Sequence, residues 1–329
     1  MDLAQLTIVI CLLAGWTLVL LRHDRFALPR VGHFTIKLTH ALPSVLQIAL
    51  FAYWSIYWTP VITHLPVIGV QLAFAYAFEF LLAWTLRRAY SPSLGPVPIV
   101  LSMNLFVWFP DLLVSTIVIA IALLSKALLR FEGRHIFNPS VLGIAVVGVL
   151  CILIPAVFHY QDISHDFDRP PHMTEVILLL ALIPQIRLQL TPVAVGAAFA
   201  MLGTMFVVFS LTGYKGGPSP WWPPWLLAIT LLAADPATIP TTSASRLVFG
   251  LFLGTAFYVV SRLFLLSIGT DFFSKIIPIP MANLLVPNFE RAGARLSASW
   301  PHLVRRFNNR VYLATWTSVS ILSLILRRI

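Results

Sequence analysis

The chain has 329 residues, of which 59% are hydrophobic and 10% are charged, and its mean hydropathy is +0.88. Because soluble domains carry about 25% charged residues, this composition excludes an ordinary soluble protein and indicates a polytopic membrane protein. The formal net charge of +10 is typical of basic loops that face the cytoplasm and anionic lipid, so we expect no nucleic-acid partner.

Apolar segments of spanning length recur along the whole chain. A membrane-spanning helix needs about 20 predominantly apolar residues. The clearest candidates are 3–21, 38–58, 66–86, 139–158, 173–189, 191–213 and 246–267. Weaker candidates are 97–109, 111–124, 221–234 and 311–326. The sequence therefore predicts an all-α polytopic membrane protein with about ten transmembrane segments, anchored in the lipid bilayer.

Three of the weaker segments are too short to cross a bilayer comfortably. Residues 97–109 and 111–124 are separated by Pro110-Asp111, and each reaches only about 20 Å as a helix. We expect them to form a re-entrant hairpin of half-helices. The segment 221–234 is expected to be another half-helix, with a full crossing as the alternative.

Positive charge in the loops predicts the side that each one faces. The region 1–37 reads as a transmembrane helix with a basic cytoplasmic loop, and 159–172 reads as an acidic outer loop. The regions 38–158 and 173–267 each contain two long helices, a short segment, a polar motif and a further long helix. They begin on opposite sides of the membrane, which predicts an inverted repeat, with a plain bundle of ten or eleven helices as the alternative. The remaining region, 268–329, reads as a basic tail that ends in an apolar helix.

The first polar loop lies before the predicted helix that begins near residue 139. Its basic side chains can bind phosphate or carboxylate, and its asparagine can cap the helix while the backbone amides face an anion. The candidate cofactor-binding residues are Lys126, Arg130, Arg134, His135 and Asn138. The alternative is a cytoplasmic basic loop that touches lipid headgroups.

The second polar loop places many hydroxyl groups at the start of another helix. We expect it to bind a ligand or a cofactor phosphate through Asp235, Thr238, Thr241 and Arg246. Simple capping of the helix by Ser243 or Ser245 is the alternative.

One carboxylate, Glu79, lies within the predicted spanning segment 66–86. An ionisable group at this depth is expected to face a cavity or a partner, so we predict that Glu79 belongs to an ion or proton path. A buried role in a helix interface is the alternative. We predict no catalytic residue, because the chain has no nucleophile elbow, P-loop or dinucleotide-binding glycine motif, and whether it is an enzyme stays open.

The histidines and cysteines do not predict a metal site. Cys11 and Cys151 lie in separate apolar segments and form no ligand motif. The outer loop contains His159, His165 and His172, but their spacing matches no metal-binding pattern, and Pro170-Pro171 predicts an extended loop in solvent.

Two motifs resemble a known membrane family. Residues 133–139, Gly-Arg-His-Ile-Phe-Asn-Pro, with Ser125-Lys126 upstream, are similar to a signature shared by NqrB, a membrane component of the sodium-pumping NADH:quinone reductase, and RnfD, a membrane component of the Rnf electron-transport complex. Residues 235–240, Asp-Pro-Ala-Thr-Ile-Pro, followed by Arg-Leu-Val-Phe-Gly at 246–250, resemble the second signature. The segment 275–287 is more similar to the UnbU branch, which is linked to enediyne biosynthesis.

The resemblance implies a fold of inverted helical repeats related to urea transporters and a role in flavin- or quinone-linked electron transfer coupled to ion movement. It also implies partner redox subunits and the plasma membrane of a bacterium. The threonine motif to which family members attach FMN is absent from the chain. The expected cofactor is therefore FMN or riboflavin held without a covalent bond. A non-redox transporter for a small solute or natural product, or an accessory membrane protein of a biosynthetic pathway, is the alternative.

Overall fold

The computed structural model describes residues 2–22 and 29–299, together with the isolated positions 314, 317, 318 and 321. The predicted C-terminal helix over 311–326 lies outside the described residues except at those four positions. By its internal contacts the chain divides into two compact units. The first comprises Met1–Arg130 and Pro139–Ile163, and the second comprises Phe131–Asn138 and Ser164–Ile329.

The described part of the chain is predominantly α-helical, as the composition predicts. The helices of the first unit are α1 (Leu3–Arg22), α2 (Leu38–Tyr57), α3 (Pro60–Arg87), α4 (Pro96–Phe106), α5 (Leu112–Leu128) and α6 (Pro139–Leu153). Those of the second are α7 (Met173–Arg187), α8 (Thr191–Thr212), α9 (Pro223–Leu227), α10 (Ser243–Ile268), α11 (Pro278–Leu284) and α12 (Val286–Ser299). Two-residue strands are β1 (Arg30–Val31), β2 (Ala89–Tyr90), β3 (Val107–Trp108), β4 (Arg130–Phe131), β5 (Arg134–His135) and β6 (Gln161–Asp162).

Four described helices, α1, α3, α8 and α10, are long and apolar enough to cross a membrane. Their large apolar side chains are widely exposed, as at Leu211, which is 80% exposed, and Leu266, which is 75% exposed. Such surfaces are unfavourable in water and are satisfied by lipid, so the chain is a membrane protein. The predicted total of about ten spans and the inverted repeat stay predictions.

Short helices form where the sequence predicts half-helices. Helix α4 ends at Phe106 and α5 begins at Leu112, which confirms the break at Pro110-Asp111. In the second unit α9 continues directly into one π-helical turn, Ala228–Leu232. The predicted short segment at 221–234 is therefore helical, but its second half is wound more widely than an α-helix.

In the first unit, α4 packs against α2 and α3, while α5 packs against α3 and α6. A close approach joins α5 to α6 at Gly143. A Cβ atom there would overlap the backbone oxygen of Val118, so glycine permits the contact. The turn after α4 is held by antiparallel pairing of β3 with β6 and by Gln5, whose amide oxygen accepts from the Leu112 N–H at 2.7 Å.

In the second unit, α8 and α10 pack most closely where α10 presents two glycines four residues apart. A Cβ atom on Gly250 would overlap the backbone oxygen of Val193, and one on Gly254 would overlap that of Ala197. Small residues at this spacing let two helix backbones meet, which is how membrane helices gain packing energy where no water is displaced.

The outer loop and the tail are more ordered than their composition predicts. Ser164–Asp168 forms a 3₁₀ helix in which Phe167 is buried, so the extended solvent loop predicted from Pro170-Pro171 is wrong for this stretch. In the tail, the 3₁₀ turn Phe272–Lys275 and helices α11 and α12 pack on α10. Burial of their apolar side chains stabilises both segments, although both also contain charged residues.

Candidate functional site

Within the second unit, residues 131–138 of the first polar loop contact the second polar loop directly. The guanidinium of Arg134 donates to the backbone oxygens of Pro236, at 2.9 Å, and Ile239, at 3.4 Å. The Nε2 atom of His135 lies 3.2 Å from a carboxylate oxygen of Asp235. The other oxygen of Asp235 accepts from the Ala237 N–H at 3.0 Å and so shapes its own turn.

Asparagines tie the same loops to helix α11. The Asn138 amide donates to the Leu232 oxygen at 2.8 Å, and the Asn138 backbone N–H donates to Asn283 at 3.3 Å. Asn283 in turn donates to the backbone oxygen of Thr238 at 3.1 Å. All three of Asn138, Asn283 and Thr238 are buried. Asn283 therefore bridges both signature loops.

Glu290 of helix α12 is an acidic residue that binds the second polar loop. It accepts from the Thr241 N–H at 2.5 Å and from the Thr241 hydroxyl at 2.8 Å. Burial alone would raise the pKa of Glu290. Hydrogen bonds from both groups of Thr241 and from Ser245, together with the charge of Arg134, outweigh burial and lower the pKa below its usual 4.5. The carboxylate is therefore held ionised.

Arg246 and Thr242 fix the start of α10. Arg246 donates from Nε to the Pro240 oxygen at 2.8 Å and from Nη1 to the oxygens of Leu188, at 3.0 Å, and Gln189, at 2.8 Å. The Thr242 hydroxyl accepts from the Ser245 N–H at 3.2 Å and is the N-cap. The capping expected from Ser243 or Ser245 is thus supplied by the preceding threonine.

We call these contacts the loop network, formed by Arg134, His135, Asn138, Asp235, Thr238, Thr241, Thr242, Arg246, Asn283 and Glu290. Most of its charged groups bind backbone atoms of the loops themselves. Such contacts stabilise the loop shape. Thr241 and Thr242 are exposed residues, and their hydroxyls contact Glu290 and the Ser245 N–H. The loop network therefore fixes the shape of the two loops and leaves two threonine residues at the surface.

The other predicted residues, Lys126 and Arg130, belong to the first unit and lie near Glu79. Lys126 Nζ lies 3.2 Å from Glu79 Oε1, and the two side chains are 23% and 20% exposed. The second oxygen of Glu79, Oε2, is buried and has no hydrogen-bond partner among the residues that the structure describes. Glu79 is thus a half-satisfied carboxylate on a helix of spanning length, paired with one cation.

Close packing surrounds this pair. A Cβ atom on Gly95 would lie 2.5 Å from Lys126 Nζ, so the absence of a side chain there makes room for the ammonium group. The pKa of Tyr90 is raised to about 12, first by burial and then by the charge of Glu79 and by the neighbouring Tyr76. The negative charge of Glu79 therefore acts on Tyr90 as well as on Lys126.

Sequence reasoning missed three buried or paired residues of the second unit: Asn283, Glu290 and Lys275. Lys275 is 1% exposed, donates to the Ser164 hydroxyl at 2.6 Å, and lies 4.9 Å from the ring centre of Phe272. Lys275 and Asn283 fall in the segment 275–287 that carries the UnbU resemblance, which is the one signal that singles them out. Glu290 has no local signal, because its partners are 49 residues away.

Comparison with known proteins adds no further assignment. No protein-family profile matches the chain, and no curated protein is significantly similar to it. The function is therefore inferred from the geometry of the two units and from the signature motifs.

Proposed function

We propose that the protein is an integral membrane subunit of the NqrB/RnfD type, in the plasma membrane of a bacterium, which takes part in flavin- or quinone-linked electron transfer coupled to ion movement. The redox part is supported by the resemblance of the two signature motifs. The ion part is supported by the Glu79–Lys126 pair. Partner redox proteins form part of this proposal, since the chain carries no dinucleotide-binding motif of its own.

The single observation that carries the ion part of the proposal is the Glu79 oxygen beside Lys126 that has no hydrogen-bond partner among the described residues. An ion pair removed from water is stable only when its remaining lone pairs are satisfied. A proton or a small cation that reaches Oε2 satisfies it and weakens the hold on Lys126. The pair is therefore an exchange site, in which the lysine ammonium is the resident cation and the transported ion is its competitor.

The helix order supports the inverted repeat implied by the resemblance. In the first unit two long helices, α2 and α3, are followed by the short α4, by α5 and, after the first polar loop, by α6. In the second, α7 and α8 are followed by the short segment 223–232 and, after the second polar loop, by α10, so α5 has no counterpart among the described helices of the second unit. In each unit the short helix packs on both preceding helices. Matching interrupted segments of this kind are typical of transporter folds built from two repeats.

The ion proposal is tested in vesicles that contain the purified full-length protein. We expect an imposed gradient to drive proton or Na⁺ flux, read with a dye inside the vesicle, and Glu79→Gln to abolish most of it. Asp166→Asn, which removes a carboxylate from the outer loop, is the control. Flux in Glu79→Gln equal to that of the unchanged protein would remove Glu79 from the path.

The cofactor proposal is tested by flavin analysis of protein purified in detergent. We expect FMN or riboflavin that is released on denaturation, because the attachment motif is absent. Arg134→Ala or Asp235→Ala should lower the flavin content while membrane insertion is kept, since each weakens the loop network. Unchanged flavin content in both variants would separate the loops from the cofactor.

A second candidate function, passage of a small uncharged solute without redox chemistry, is favoured by two buried glutamines. Gln47 donates to Ser102 of α4 at 2.7 Å, and Gln185 donates to the Thr230 oxygen at 3.1 Å. The Oε1 atom of each is buried and has no hydrogen-bond partner within the described part of the chain. In each unit, a solute that donates a hydrogen bond would satisfy the oxygen of that unit's glutamine. Vesicle swelling with formamide or glycerol, and its loss in Gln47→Leu and Gln185→Leu, distinguishes this function from the first.

A further inference from the structure

Helices α3 and α5 line a half-open cavity of about 90 Å³ within the first unit. Its polar lining comes from Glu79 and Arg87 of α3, from Lys126 of α5 and from Arg130, two residues beyond the end of α5. The spacing along each helix places these side chains on one face, because residues three or four apart are neighbours on a helix. The cavity is therefore built by the facing surfaces of two packed helices.

The lining carries more positive than negative charge. Three cations, Arg87, Lys126 and Arg130, stand against one carboxylate, Glu79, which leaves a formal surplus of two positive charges. Arg87 and Arg130 are exposed, whereas Lys126 and Glu79 are partly buried. A second anion at this place is electrostatically favoured, and the volume admits a group of the size of a phosphate.

The rest of the lining is apolar. Leu82 and Leu123 of the lining are buried, while Leu86 is 47% exposed. The pocket thus combines a cationic end with an apolar wall at the end of a helix of spanning length. Basic pockets between membrane helices on the cytoplasmic side bind the headgroups of anionic lipids, and the basic loops predict that this end of α3 faces the cytoplasm.

We propose that this cavity binds one anionic phospholipid, with its phosphate between Arg87, Lys126 and Arg130 and one acyl chain along Leu86. The arginines supply fork-shaped donors that match phosphate oxygens. Free phosphate has the same charge but leaves Leu86 uncovered, which is why the lipid is the better occupant.

The proposal goes beyond electron transfer and ion movement and does not depend on either. It has one consequence for the exchange pair, because a bound phosphate competes with Glu79 for Lys126. Removing the carboxylate by Glu79→Gln should therefore strengthen lipid binding, whereas the same variant is expected to abolish ion flux. Opposite effects of one substitution keep the two proposals separable.

The experiment uses the full-length protein, stripped of lipid in a neutral detergent and titrated with phosphatidylglycerol, phosphatidylcholine or inorganic phosphate. Native mass spectrometry counts the bound lipid. Arg87→Gln should weaken phosphatidylglycerol binding about fivefold, the factor that corresponds to about 1 kcal/mol per basic residue. Arg187→Gln is the matched control, because Arg187 is likewise an exposed arginine at the last residue of a helix, α7.

Each result decides the proposal. One tightly held phosphatidylglycerol, weakened by Arg87→Gln and Arg130→Gln but not by Arg187→Gln, supports it. Equal binding of phosphatidylcholine would show that the site does not recognise the charge of the headgroup. Displacement of the lipid by inorganic phosphate at about 1 mM would show that the site binds free phosphate. Either of these outcomes, or an equal loss in Arg187→Gln, overturns the lipid site.

Discussion

The loop network and the Glu79–Lys126 pair use charge in opposite ways. In the network, Arg134 and Arg246 bind five backbone oxygens between them, and Glu290 binds the Thr241 amide. At the pair, one oxygen of Glu79 has a lysine partner, and the other has no hydrogen-bond partner in the described segments. The first arrangement satisfies the loops internally, and the second leaves an acceptor unsatisfied in an apolar helix.

This difference indicates that the loop network is rigid and that the Glu79–Lys126 pair is the place where an ion can be exchanged. Charged side chains that bind the backbone stabilise a loop shape, because breaking these hydrogen bonds leaves several partly buried carbonyl groups without their donors. A pair with an unused lone pair gains a further partner at little cost. We therefore expect substitutions in the network to act on stability and those at the pair to act on ion exchange as well.

The largest effect is expected when the pair is broken from the lysine side. Lys126→Leu leaves Glu79 without its cation and should lower the free energy of unfolding by about 2–3 kcal/mol, somewhat less than for a fully buried pair. The double variant Glu79→Gln/Lys126→Leu should recover most of this loss, because no unpaired charge remains. Denaturant unfolding in detergent measures both. A double variant as unstable as the single would show that lost packing, and not the stranded charge, is responsible.

A slightly smaller effect is expected in the network. Arg246→Met removes the donors to the oxygens of Leu188, Gln189 and Pro240 and should lower the free energy of unfolding by about 2 kcal/mol. Arg246→Lys keeps the charge without the fork and should lie between the two proteins. The same unfolding assay applies. If Arg246→Lys has the same free energy of unfolding as the unchanged protein, positive charge alone stabilises the loop. The proposed difference between the loop network and the Glu79–Lys126 pair would then be wrong.

Much of the helical framework is predictable from the sequence, because it follows from local apolar runs and their interruptions. Pro110-Asp111 marks the break before α5, and the segment that starts near residue 223 is helical as expected. The membrane class follows from composition for the same reason. The start of α10 is predicted only approximately, since threonine and serine cap equally well and the sequence offers several in succession.

The partners of the charged side chains are not predictable in this way. Glu79 meets Lys126 from 47 residues away, and Thr241 meets Glu290 from 49 residues away. The sequence also predicts that Lys275 belongs to a basic tail, whereas in the structure its ammonium group lies near three aromatic rings. Contacts between distant segments depend on helix packing, which no single loop encodes.

A pH-dependent effect should distinguish Glu290 from ordinary acids of the loops. Because the pKa of Glu290 is lowered in the folded chain, its contact stabilises the protein above pH 4.5 and is lost as the pH falls through the lowered value. Hydrogen exchange of the Thr241 amide, corrected for intrinsic rates, should rise in acid. Glu290→Gln should flatten this dependence, while Glu132→Gln, in an exposed turn, should not. A pH profile unchanged by Glu290→Gln would contradict the assignment.

The smallest expected effect tests the charge of Glu79 without breaking its helix. The pKa of Tyr90, about 12, is raised first by burial and then by the negative charge of Glu79. Glu79→Gln removes the second cause and keeps the first, so the pKa should fall but stay above its usual 10. Alkaline absorbance titration, with Tyr90→Phe subtracted to isolate one phenol, measures the change. A pKa that does not move would show that the charge of Glu79 does not act on Tyr90, and burial alone would then account for the raised value.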